Sequence, residues 1–123
     1  MADRANFIRG SRFRSLVASV LGAYGVAATE RPRKLSDRLA GDEPQLSDVL
    51  MNDIAVTTSH TARQRQWSAL LDQAEQAAIA DRRRYGVAVI SRPDRDIRGQ
   101  FVLTTFGTLL DLAATGLNAQ KEK

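Results

Sequence analysis

Two stretches decide the fold class: Trp67-Ser68-Ala69-Leu70-Leu71-Asp72-Gln73-Ala74-Glu75-Gln76-Ala77, and then Tyr85-Gly86-Val87-Ala88-Val89-Ile90. In the first, Trp67, Leu70, Leu71, Ala74, Ala77 and Ala78 recur at three- and four-residue spacing. They share one face of a helix running from about Gln66 to Ala80. The alanines on that face would let the helix lie close against a sheet. The second stretch is a short continuous apolar run, the clearest buried strand in the chain. Together they mark an α/β domain.

Working outward, Arg92-Pro93-Asp94-Arg95-Asp96 reads as a turn, and Gln100 to Thr104 as a returning strand. Thr105 caps a last helix through about Ala114, whose Phe106, Leu109, Leu110 and Ala113 are expected to face inward. Upstream, Asp48 to Met51 and Ile54 to Thr58 are two strand pieces around the turn pair Asn52-Asp53. Residues 31–47 are polar and irregular, broken by Pro32, Gly41 and Pro44, and read as one long loop. A short strand is expected from Val26 to Glu30. Before it, Phe13, Leu16, Val17, Val20, Leu21 and Tyr24 form one apolar stripe on a helix from about Ser11 to Tyr24, which Gly25 stops. Arg9, Arg12 and Arg14 then crowd the entrance of that helix, the unfavourable sign for its dipole. The order is helix, three strands, helix, two strands, helix.

The 123 residues suffice for one core and not for two. The expected division is an N-terminal arm over 1–8, a single domain over 9–115 and a flexible tail over 116–123. The chain has no cysteine, which excludes disulfides and thiolate chemistry, and its single histidine, His60, excludes a multi-histidine metal site. No segment has the length of a membrane helix, and no apolar run follows the N-terminal charges, so neither a membrane partner nor a signal peptide is expected. The net charge is +4 and the pI about 10.1. Of the 18 basic residues only Lys34, Lys121 and Lys123 are lysines. Guanidinium groups match phosphate oxygens, so Arg9, Arg12, Arg14, Arg31, Arg33 and Lys34 are the candidate nucleic-acid contacts. A coding bias towards arginine explains the same excess. Trp67 reads as a core anchor, His60 as a surface histidine, and Gly86 and Gly99 as strand-boundary residues.

Gly10-Ser11-Arg12-Phe13 opening an amphipathic helix, with the two stretches quoted first, resembles phage Holliday-junction resolvase-like proteins of the PD-(D/E)XK nuclease superfamily. The resemblance covers roughly residues 9–112 in element order. It implies a restriction-endonuclease-like α+β core, α-β-β-β-α-β-β-α, with a mixed sheet flanked by helices. It also implies carboxylates that hold Mg²⁺ for phosphodiester hydrolysis and a lysine that assists the nucleophile. Carried onto this chain, the first-helix acid falls near Arg14, the strand aspartate on Asp48, and the acid-x-lysine segment on Thr57-Thr58-Ser59, with His60 just beyond. Asp48 is thus the sole surviving catalytic candidate. A migrated site would have to draw on Asp42, Glu43 or Asp53.

The expectation is therefore a non-catalytic phage protein, a structural or assembly module such as a head-to-tail connector subunit. It would need no cofactor, reside in the virion or the host cytoplasm, and meet further copies of itself or other phage proteins. The alternatives are a DNA-binding protein, or an active Mg²⁺-dependent resolvase with a rearranged site.

Overall fold

The structure is a computed structural model that describes residues 2–34, 39, 46–92 and 94–121, with the backbone alone for 2, 3 and 117–121. Its elements are α1 (Ala2–Ala23), β1 (Thr29–Glu30), β2 (Val49–Met51), β3 (Ile54–Ser59), α2 (Trp67–Ala80), β4 (Tyr85–Ile90), β5 (Phe101–Leu103) and α3 (Phe106–Lys121). Short 3₁₀ turns at Gln64–Gln66 and Ile97–Gly99 precede α2 and β5. The five strands form one sheet in the order β1-β2-β3-β4-β5. Only β3 and β4 run parallel; the other neighbours are antiparallel. The fold is α+β with a mixed sheet flanked by helices, as expected.

Each connection has a local cause. Asn52 carries φ 47° in the β2–β3 turn, a left-handed position that asparagine tolerates. The parallel β3–β4 pair needs a crossover, and α2 provides it. Gly86 lets α2 settle on β4: a Cβ there would lie 2.5 Å from the Ala74 carbonyl oxygen. Gly86 is therefore a contact point between helix and strand rather than a boundary marker. Gly25, at φ 81°, ends α1. Val26 N–H donates to the Leu21 carbonyl at 2.9 Å and Gly25 N–H to Gly22 at 3.0 Å, the paired closing bonds of a glycine-ended helix.

Two cores lie on opposite faces of the sheet, as strand alternation requires. Phe13 and Val17 of α1 pack on Val49 and Val56, with Ile54, Val87 and Val89 around them. On the other face Ala74, Ala77 and Ala78 of α2 are buried, as are Ala55, Ala88 and Ile90 at the alternate strand positions.

Several expectations are corrected. The first helix begins at Ala2, so residues 2–8 are helical and Arg9, Arg12 and Arg14 sit in its middle, away from the dipole's positive end. Its buried stripe is narrower than its apolar one, for Leu16 and Tyr24 are exposed. β1 shrinks to Thr29–Glu30, with only two residue pairs to β2. The last helix runs beyond Ala114 to Lys121, and Phe106, Leu109, Leu110 and Ala113 do not face inward. Of the long loop read over 31–47, residues 35–38 and 40–45 lie outside the described residues, as do Asp42 and Glu43.

Candidate functional site

Asp48 stands immediately before β2 and is held in line by two backbone bonds. Its N–H donates to the Val56 carbonyl at 2.8 Å, and its carbonyl accepts from Arg31 N–H at 2.8 Å. Strand pairing therefore fixes where its side chain emerges, beside Ser11 and Arg14 in the middle of α1 and near Gln73 and Ala77 of α2. The carboxylate is buried. Oδ2 accepts from Thr58 N–H at 2.8 Å and from the Thr58 hydroxyl at 3.1 Å. Oδ1 accepts from Arg33 Nε at 3.2 Å and pairs with its terminal nitrogen at 3.1 Å. Arg14 reaches the same oxygen at 4.0 Å.

The two arginines are themselves anchored. Arg14 Nε donates to Glu30 Oε1 at 3.3 Å and a terminal nitrogen to Ser11 Oγ at 3.1 Å, while Ser15 donates to Glu30 at 2.8 Å. Arg33 also donates to the Leu46 carbonyl at 2.6 Å. The side chains of Arg14 and Arg33 are only 11% and 7% exposed, so screening by water is weak. A second knot lies next door. Arg31 pairs with Asp81 at the end of α2 and donates to the Ser47 carbonyl, and Asp81 accepts from Ser47 N–H at 2.8 Å. Glu30, Arg14, Asp48 and Arg33 thus form a chain of alternating charge from α1 across the sheet.

The structure brings together the positions singled out in sequence: Arg14, Asp48, Thr58 and His60 line one recess of about 110 Å³. Asp48, Arg33, Thr57, Thr58 and Ser59 also line a larger cavity of about 300 Å³ under Gln73 and Gln76 of α2. Thr57 Oγ1 is buried there without a hydrogen-bond partner among the described residues. His60 is half-buried rather than on the surface, and its ring lies over Gly10 of α1, where a Cβ would sit 3.1 Å away. Asp53 is exposed in the β2–β3 turn, apart from this cluster. Trp67 is half-buried and meets Phe101 edge-on at 5.2 Å, which ties the start of α2 to β5.

Of the six cations considered for phosphate contact, Arg14, Arg31 and Arg33 turn inward to carboxylates, whereas Arg9, Arg12 and Lys34 are exposed. Sequence reading missed Thr58 as the partner of Asp48, and Glu30 and Asp81 as partners of the arginines. The separations, from 10 to 50 residues, explain why. The one available signal was the proximity of Glu30, Arg31 and Arg33 in a segment otherwise short of apolar residues.

The arrangement does not suit a dication. Among the described residues no three acids or histidines converge. At an effective dielectric near 20, a guanidinium about 4 Å from a doubly charged ion opposes it by about 8 kcal/mol. Two such groups flank the single carboxylate. No protein-family model, curated protein or solved structure matches the chain.

Proposed function

We propose that the chain is a non-catalytic structural or assembly module of phage origin, built on a resolvase-like fold whose metal site has become an ion-pair lock. The observation that carries this reading is the state of Asp48. Its carboxylate is committed to Arg33, Arg14 and Thr58. A carboxylate so engaged bridges α1, the segment before β2 and β3, and it has no lone pair directed at a phosphate-bound metal. Arg14 stands where the resemblance calls for an acid, and it supplies the positive charge that a metal would otherwise bring. The site then holds the domain together, and the surfaces outside it carry the function. A virion part such as a head-to-tail connector subunit, meeting copies of itself or other phage proteins in the virion or host cytoplasm, fits that division.

Incubation with four-way-junction and duplex DNA in Mg²⁺ or Mn²⁺ tests the reading. The expected result is no cleavage by either the wild type or Asp48→Ala. Cleavage by the wild type that Asp48→Ala abolishes overturns it.

A second reading, DNA binding without cleavage, is favoured by the exposure of Arg9, Arg12 and Lys34. It predicts a mobility shift that weakens steeply with salt and that Arg9→Ala with Arg12→Ala reduces. Absence of any shift at low salt rejects it.

A further inference from the structure

Helix α3 is amphipathic, but its polar side faces the protein. Thr108 is buried, and its N–H is capped by Thr105 Oγ1 at 3.1 Å. Asp111, one turn on, accepts from the Tyr85 hydroxyl at 3.0 Å and pairs with Arg84 at 3.8 Å. Thr108 and Asp111 lie three residues apart, so the contacts to the body fall on one side of the first turns of the helix. Phe106, Leu109, Leu110 and Ala113 share the opposite face by the same spacing. Phe106 is 72% exposed, Leu109 53% and Leu110 52%. Among the described residues no other helix or strand packs extensively along it.

We propose that this apolar stripe is an interface between two copies of the chain. Charge and area point to that occupant. Asp111 is the only charged residue between Thr104 and Gln120, and it is turned to Tyr85 and Arg84, away from the stripe. The outer face therefore offers nothing to an acidic or basic partner and calls for an uncharged apolar one. The same stripe on a second copy is such a surface, and a twofold contact sets each stripe against its counterpart. Phe106, Leu109, Leu110 and Ala113, with the exposed Val102 of the edge strand β5, expose on the order of 500 Å² per copy. Two copies pairing would bury about 1,000 Å² in all, the lower bound for a specific interface. Ala113 sets a small side chain among large ones, as interlocking helices need.

The inference rests on the self-assembly part of the proposed function, and the cleavage assay stands or falls separately from it. Equilibrium sedimentation of the full chain is expected to give twice the 13.5 kDa chain mass, with Kd on the order of micromolar. Leu110→Glu, with unchanged circular dichroism, is expected to weaken association about 100-fold, because it buries a charge at the contact. The chain has no cysteine, so single introduced thiols report the face directly even if Leu110→Glu fails to fold. Ala113→Cys is expected to form disulfide-linked dimers under mild oxidation, and Arg65→Cys, on the exposed turn before α2, is not. A monomer at about 0.1 mM overturns the proposal; such a monomer is the outcome if a different protein or a membrane covers the stripe. A dimer that survives Leu110→Glu, or equal cross-linking of both thiol variants, overturns it as well.

Discussion

Asp48 and Leu110 sit in opposite environments from those their chemistry favours. The acid is inside, just before a strand, with its carboxylate held by donors from Thr58, Arg33 and Arg14. The leucine is outside, on a helix, 52% exposed. In the first region the fold bears the desolvation of several charges and recovers it through partners reached across the sheet. In the second, an apolar stripe is held out to solvent by polar contacts on its reverse side. Buried ion pairs of this kind contribute little net stability but cost much to break, whereas exposed leucines cost the monomer little to lose. The difference separates what holds the domain together from what it has left to offer a partner.

Substitutions at the two regions should therefore diverge sharply. Asp48→Ala removes the carboxylate that Arg33 and Arg14 share and leaves Arg14 to Glu30. It is expected to lower unfolding free energy by about 3 kcal/mol in urea titration. A loss below about 1 kcal/mol would mean that the ion-pair chain is not structural. Glu30→Gln acts at the rim of the same chain, where the carboxylate is 33% exposed. A smaller loss, about 1 kcal/mol, is expected by the same measurement. Leu110→Ala is expected to change the stability of dilute monomer by no more than about 0.5 kcal/mol, against the roughly 2–5 kcal/mol of a buried leucine. A core-sized loss would place the stripe against the body and erase the contrast.

The smallest effect concerns Tyr85, whose hydroxyl joins β4 to α3 through Asp111. Burial, and after it the hydrogen bond to Asp111, raise the Tyr85 phenol above its ordinary value of 10.0, against the opposing charge of Arg84. A raised value means the folded protein keeps a proton that the unfolded chain releases. The stabilisation is therefore complete below pH about 10 and is lost as pH rises through the folded-state value. Tyr85→Phe should remove that alkaline decline. Thermal unfolding of both proteins from pH 8 to 11 checks it, and parallel curves would refute the link between α3 and β4.

The contrast also shows which features a one-dimensional reading reaches. Periodicity located α2, β4 and the β2–β3 turn, because short-range spacing and the Asn52-Asp53 pair determine them locally. Gly86 stands out in the sequence, but its role at Ala74 depends on two elements meeting. For α3, spacing revealed the stripe, and nothing in spacing says which way a stripe faces. The orientation is set by Thr108 and by Asp111 with Tyr85, a contact 26 residues apart. The ion-pair chain was hidden for the same reason. Arg14, Arg31 and Arg33 look alike in sequence to Arg9 and Arg12, and only the sheet decides which meet carboxylates.

In the proposed function Asp48 serves as a structural ion-pair partner and not as a metal ligand. Thermal unfolding of the wild type and Asp48→Ala, each with and without millimolar Mg²⁺ or Mn²⁺, tests it most directly. A ligand that binds only the folded state at 100 times its Kd stabilises by about 2.7 kcal/mol, an easily resolved shift. No metal-induced shift is expected in either protein, and Asp48→Ala is expected to have the lower Tm under all conditions. A rise in wild-type Tm with metal that disappears in Asp48→Ala would contradict it.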